Sequence, residues 1–229
     1  MRIEKYPQKI FLNKNKNITN IFDYSFSDAR TCLKYGIKLY KLSNTEILVP
    51  EYVCNEVIDT LNSLGMIIKY YEINDMLIPN YDNIKSKINS KVKSIVFINY
   101  FGLPLNLTNN IQFSKEHNLL MIEDNAHGFS GKFNNQYLGT FGDISINSPR
   151  KNLNIMCGGF LFIKNKNLLK NFKISKKKIT FKWRIFRYLP IFICNIVINL
   201  INFLNIKKNI NYKNSKKYLK NIIQDINSY

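Results

Sequence analysis

Two acids, Glu123 and Asp124, close an apolar run, and His127 follows three positions later. Neighbouring residues of an extended strand point to opposite faces, so one of the two acids at most aims into a given site. The plain structural role for the acids is to cap a helix or face water, and for His127 it is a hydrogen-bonded loop. Lys151, in the stretch Ser148-Pro149-Arg150-Lys151-Asn152-Leu153, is one of 34 basic residues, and its plain role is a solvated charge. A lysine desolvated beside an electrophilic cofactor can instead form a Schiff base. Acid, imidazole and amine brought together would transfer protons. Ser148 and Thr31 add hydroxyls suited to a phosphate.

These residues need elements to position them. Short apolar runs predict strands over 46–50, 66–73, 94–101, 119–124 and 144–148, and over 160–163 after Gly158-Gly159. Longer periodic stretches predict helices over 29–40, 55–64, 80–88 and 107–117. Buried runs rich in Ile, Val and Phe, alternating with helices, indicate an α/β fold with a mainly parallel sheet covered on both faces. In such sheets ligands bind at the carboxyl ends of the strands. That rule selects 50–54, 99–102, 124–127 and 148–151, together with the helix start at Ser27-Asp28-Ala29-Arg30-Thr31, where free N–H groups suit an anion.

The 229 residues carry 34 Lys+Arg against 15 Asp+Glu, a formal charge of +19. The excess is uneven. Residues 1–163 hold 18 basic and 14 acidic side chains (+4), and residues 164–229 hold 16 and one (+15). With 45% apolar residues, wholesale disorder is excluded. Four scattered cysteines without a C-x-x-C pair, and two histidines, argue against zinc or a disulfide framework. The first residues lack the apolar core of a signal peptide, which makes the cytoplasm the expected compartment. Asn, Lys and Ile are abundant throughout, so single Asn residues carry little weight.

Taken in order, the motifs resemble the DegT/DnrJ/EryC1/StrS family of sugar-nucleotide aminotransferases. The blocks are Ser27-Asp28-Ala29-Arg30-Thr31-Cys32-Leu33; Val49-Pro50 through Leu64-Gly65; Asn99-Tyr100-Phe101-Gly102-Leu103-Pro104; Ile122-Glu123-Asp124-Asn125-Ala126-His127-Gly128; Gly139-Thr140-Phe141-Gly142-Asp143-Ile144; and Lys151-Asn152-Leu153 with Gly158-Gly159. They run from about Phe26 to Lys164. The resemblance implies the three-layer α/β/α large domain of fold type I pyridoxal-phosphate enzymes over residues 1–170. It implies that Asp124 pairs with the pyridinium nitrogen and that Lys151 holds the cofactor covalently and shuttles a proton. Ser148 and the backbone around Arg30 and Thr31 would anchor the phosphate, and His127 would contact the phenolic oxygen. Lysine rather than histidine at 151 separates it from the family's dehydratases and favours amino transfer from a donor such as glutamate to a keto-sugar nucleotide, in cell-surface polysaccharide synthesis. A homodimer is implied.

Two features depart from the family pattern. The interval from Ser148 to Lys151 is two residues shorter than the commonest form. Cys54 stands where many members place a ring over the cofactor, and Tyr52 lies nearby, so the stacking residue stays open. The family's small C-terminal domain is not recognisable either. Residues 171–229 read instead as a basic helical segment, and a truncated, non-catalytic remnant or half of a split enzyme is the alternative expectation. Its apolar stretch 188–206 has Asn195, Asn199 and Asn202 on one stripe, which suits a helix packed on protein. Basic flanks over 182–208 suit a peripheral membrane contact, and its length allows a span. Nucleic acid is not an expected partner, since no known module accompanies the charge.

Overall fold

The computed structural model describes residues 21–129, 131–153 and 158–170. All of them lie in one compact unit, Met1–Phe172. The expectations for 171–229, including the apolar stretch and the membrane contact, fall outside the described residues.

Seven strands form one sheet in the order β1-β9-β8-β5-β4-β2-β3. They are β1 (Tyr24–Phe26), β2 (Glu46–Pro50), β3 (Ile67–Tyr71), β4 (Val92–Ile98), β5 (Leu120–Asn125), β8 (Ile144–Asn147) and β9 (Gly159–Ile163). Strands β3, β2, β4, β5 and β8 are parallel, while β9 runs against both β8 and β1. Helices α1 (Ala29–Leu39), α2 (Asn55–Asn62), α3 (Tyr81–Lys87) and α4 (Leu107–Glu116) make the connections. The hairpin β6 (Lys132–Phe133) and β7 (Gln136–Tyr137) lies between β5 and β8.

The three layers follow from crossover handedness. Parallel connections are right-handed, so a connection moving one way along the sheet lies on one face, and one moving back lies on the other. From β1 through β2 to β3 the chain moves toward one edge, carrying α1 and α2. From β3 back through β4 to β5 it moves the other way, carrying α3 and α4. The cores match this division. Cys32, Leu33 and Ile37 of α1 and Val57 and Leu61 of α2 pack with Ile47, Val96, Ile122 and Ile146. Ile84 of α3 and Leu107 and Phe113 of α4 pack with Leu48, Ile95, Phe97 and Met121. Successive strand residues thus enter opposite cores, as the pleat requires.

Element types match the sequence expectations, with differences at the ends. The expected strand 94–101 stops at Ile98. Asn99 leaves the extended region, and Tyr100–Gly102 form a tight turn with Phe101 at φ 55°. The expected strand 66–73 shortens to Ile67–Tyr71 at the sheet edge. Asn80, expected inside a helix, instead caps α3 by accepting the Asn83 N–H at 3.1 Å. Strand β1 and the β6–β7 hairpin were not expected at all.

Candidate active site

The C-terminal ends of β2, β4, β5 and β8 share one edge of the sheet. From them emerge Tyr52 and Cys54, Tyr100 and Phe101, Asp124 to His127, and Ser148 to Lys151. The order turns back between β2 and β4, which is where a doubly wound sheet opens a crevice.

The pleat of β5 sorts the two adjacent acids. Asp124 follows Ile122 onto the α1/α2 face, and Glu123 follows Met121 onto the α3/α4 face. Glu123 neither faces water nor caps a helix, the plain roles read from sequence. It is fully buried and accepts five hydrogen bonds. Its Oε1 takes the Asn99 amide at 2.9 Å and the Gly139 N–H at 2.7 Å. Its Oε2 takes the N–H groups of Phe141 at 2.8 Å and Gly142 at 3.2 Å, and the Ser145 hydroxyl at 2.9 Å. Buried amides continue this network. Asn99 donates to Asn125 at 3.2 Å, Asn125 to Asn147 at 2.7 Å, and Asn147 to the Gly139 carbonyl at 3.3 Å. The ring closes on Glu123 and ties β4, β5 and β8 together beneath the crevice. Sequence reading discounted these asparagines for the chain's general Asn content. The signal available was their position, one residue past β4 and at the ends of β5 and β8.

Asp124 is 5% exposed, and its Oδ1 accepts the Ala126 N–H at 2.9 Å. No described residue donates to its Oδ2. Burial pushes this carboxyl above its ordinary value, while the Ala126 N–H and the charges of Lys151 and His127 pull the other way. Burial also lowers His127, and the Lys151 charge adds to that; Asp124 opposes both. These mutual influences put Asp124, His127 and Lys151 in one electrostatic cluster. Cys54 feels the charges of Asp124 and Lys151 as well. The His127 ring stacks on Phe101 with centroids 6.3 Å apart, and its Nδ1 accepts the Phe101 N–H at 3.4 Å. Asn152 donates to the His127 carbonyl at 3.1 Å.

Ser148 is buried, and Lys151 follows it by a single tight turn, Pro149–Lys151, closed by the Lys151 N–H on the Ser148 carbonyl at 3.1 Å. The short interval is thereby accommodated as one turn. Among the described residues Lys151 makes no ion pair, and the buried Nε of Arg150 finds no partner. Tyr52 is exposed and stacks on Tyr100 with centroids 5.8 Å apart, and the Tyr100 hydroxyl donates to the Tyr52 carbonyl at 2.6 Å.

Arg30 and Thr31 line a polar cleft of about 340 Å³ between the start of α1 and α2. There Asp28 caps α1, and its Oδ1 accepts both the N–H of Thr31 at 2.8 Å and the Thr31 hydroxyl at 2.9 Å. The Thr31 hydroxyl expected to be free for a phosphate is therefore engaged.

A sheet of this order with one reversed strand, carrying a buried carboxylate and a lysine at adjacent strand ends, is the large-domain architecture of fold type I pyridoxal-phosphate transferases. Solved structures share it. The aminotransferase TlmJ from Streptoalloteichus hindustanus superimposes with a TM-score of 0.59 at 18% identity, covering 70% of this chain and 46% of that one. The Escherichia coli GDP-4-keto-6-deoxy-D-mannose-3-dehydratase with bound hydrated PLP gives 0.57 at 21% identity, covering 70% and 44%. The model of the DegT/DnrJ/EryC1/StrS aminotransferase family matches residues 24–180, and the chain belongs to that family. Among curated relatives, GDP-perosamine synthase of Escherichia coli O157:H7 is 38% identical over 76 residues, 33% of this chain and 21% of that protein. The Vibrio cholerae GDP-perosamine synthase is 28% identical over 126 residues, 54% of this chain and 34% of that protein. The chain thus spans about a fifth to a third of these relatives and under half of the solved structures.

Proposed function

We propose that this chain binds pyridoxal 5′-phosphate in the crevice at the ends of β5 and β8 and takes part in amino transfer from an amino acid, glutamate by resemblance, to a keto-sugar nucleotide. The observation that carries this reading is the Asp124–His127–Lys151 cluster. The residues suit the cofactor's chemistry: a buried carboxylate with one oxygen unengaged, an amine outside any described ion pair, and a buried guanidinium N–H lacking a partner. Bound pyridoxal phosphate supplies an electron sink for the pair left when a Cα–H bond breaks.

The protein's residues supply the rest. Asp124 offers its free Oδ2 to a ring N–H and, by its charge, keeps that proton in place. Lys151 Nζ would hold the cofactor covalently and, once the incoming amino group has displaced it from that link, the freed amine would move the proton at the substrate Cα. His127, held neutral by burial and by the Lys151 charge and stacked on Phe101, would serve the phenolic oxygen of the bound cofactor. Ser148 and the backbone near Arg30 and Thr31 contribute to the phosphate end. Either Tyr52 or Cys54 covers the ring. The same reading assigns residues 1–170 to cofactor binding, the pathway to cell-surface polysaccharide synthesis in the cytoplasm, and the assembly to a homodimer. Within the described residues, no helix is long and apolar enough to cross a membrane. Retention of all three cluster residues favours this role over a non-catalytic remnant.

The test is cofactor uptake by the full chain. Added pyridoxal phosphate produces a visible-edge absorbance band in the wild type that Lys151→Ala lacks. A wild-type protein that stays colourless after removal of free cofactor refutes the reading.

A further inference from the structure

Asp28 caps the start of α1, where the family resemblance puts the cofactor's phosphate, and resting on that reading it raises a conflict of charge. The N-terminus of a helix binds an anion through N–H groups left without intrahelical partners. In α1 the Thr31 N–H and the Thr31 hydroxyl are both given to Asp28 Oδ1, at 2.8 and 2.9 Å, and the Ser27 hydroxyl is given to Asp28 Oδ2 at 2.9 Å. One carboxylate thus consumes three donors of the segment. Burial alone would raise its pKa, but the Thr31 and Ser27 donors and the Arg30 charge outweigh that and hold Asp28 below the ordinary carboxylate range. It is ionised at neutral pH.

The segment is also fixed in place. The Gly158 N–H donates to the Ser27 carbonyl at 2.8 Å, and Gly159 lies so close to the Asp28 backbone that an added Cβ would collide with it. Asp28 therefore cannot retreat by moving the chain; only its side chain can turn away. The adjoining cleft gives the carboxylate a poor refuge, because Glu56 and Asp59 of α2 already line it, making three acids against Arg30 and Lys34.

We propose that Asp28 is a built-in competitor for the phosphate: its carboxylate occupies the Thr31 N–H and the Ser27 and Thr31 hydroxyls at the start of α1, and the cofactor's phosphate gains these three donors only by displacing it. The consequence is a chain with weakened, phosphate-sensitive cofactor retention, relieved by any change that removes the charge and keeps the cap. Ser is such a change, since it caps helices about as well as Asp.

The experiment titrates the full-length wild type and Asp28→Ser with pyridoxal 5′-phosphate and, separately, with pyridoxal, following the visible absorbance band. Removing a charge that holds charge-assisted hydrogen bonds beside an anion site is expected to tighten pyridoxal phosphate about tenfold. Pyridoxal, which lacks the phosphate, is expected to bind both proteins alike. Thermal unfolding without cofactor completes the pattern: Asp28→Ser melts at or slightly below the wild type. Tighter phosphate-dependent binding in a variant no more stable than its parent supports the proposal, because a purely structural role for Asp28 would lower both. Equal affinities in the two proteins, weaker binding in the variant, or a gain shared by pyridoxal overturns it alone. Failure of both proteins to bind either compound overturns the cofactor reading and the proposal with it.

Discussion

Replacing Glu123 by glutamine changes one oxygen to an NH2 and removes one charge, yet the structure gives the amide no orientation that satisfies its surroundings. If the NH2 takes the place of Oε1, it meets the Gly139 N–H and the Asn99 amide as donor against donor. If it takes the place of Oε2, it meets the N–H groups of Phe141 and Gly142, with only the Ser145 hydroxyl free to rotate. The first arrangement is the milder. It orphans one buried backbone N–H, at about 1–3 kcal/mol, and reduces the remaining bonds from charge-assisted to neutral strength, at about 1 kcal/mol or more in total. A loss of about 3 kcal/mol is expected. For a domain of this size that corresponds to a fall in Tm of about 6–12 °C. Urea unfolding of the full chain followed by circular dichroism measures it, with an unchanged m-value showing that the native state stays compact. A variant within about 1 kcal/mol of the wild type would refute the claim that this carboxylate anchors the floor of the crevice.

Three further outcomes are expected. Asp124→Asn retains an acceptor for the Ala126 N–H and removes a buried charge. Because the folded-state carboxyl titrates above its unfolded value of 3.8, the native state loses stability as pH rises through that window, and the variant is spared this. Its cofactor-free Tm at neutral pH is expected to rise by about 2–4 °C, for a gain of about 1 kcal/mol, while cofactor uptake is lost; a lower Tm contradicts the account. His127, depressed below 6.5, has the opposite sense: stability is lost as pH falls from the unfolded value toward the folded one, because burial and the Lys151 charge oppose the imidazolium. A His127→Gln variant is expected to show a flatter Tm between pH 7.5 and 5.5 than the wild type, and identical slopes would exclude His127 as the cause. Gly139 sits at φ 80°, where an added Cβ would overlap the Asn147 amide, so Gly139→Ala is expected to cost about 2 kcal/mol or more in the same urea assay; a neutral effect would show that the loop relaxes freely.

The parallel strands and their helices were legible because each carries a buried run or an apolar stripe long enough to set its period. Asp124, His127 and Lys151 were legible because each lies at a strand end. Strand β1 was not, since its three residues offer no period and it is held by pairing with β9 far along the chain. The β6–β7 hairpin carries a turn signal in Asn134-Asn135, both at positive φ, but two-residue strands are too short to frame it. Glu123 shows the deeper limit. Sequence gives an acid beside an acid, and only the register with β4 and β8 reveals that one of them meets five donors. The capping role of Asp28 was a local Asp-x-x-Thr relation, open to sequence reading, but the Thr31 hydroxyl was assigned to a phosphate instead.

The reversed strand β9 has a consequence for the order of events on the ribosome. Phe26 of β1 pairs with Gly159 of β9, 133 residues later, and the Asp23 carboxylate takes the Ile163 N–H at 2.7 Å. Among the described residues strand β1 has no other partner in the sheet, and α1 packs chiefly on β8 and β9. At ordinary synthesis rates the interval between the two strands amounts to about 7–27 s. Late in it, once β2 to β5 have been made and can pair, the apolar stripe of α1 still lacks β9. A nascent chain of this protein therefore presents a half-covered sheet to chaperones and proteases for seconds, and the arrival of β9 ends that exposure.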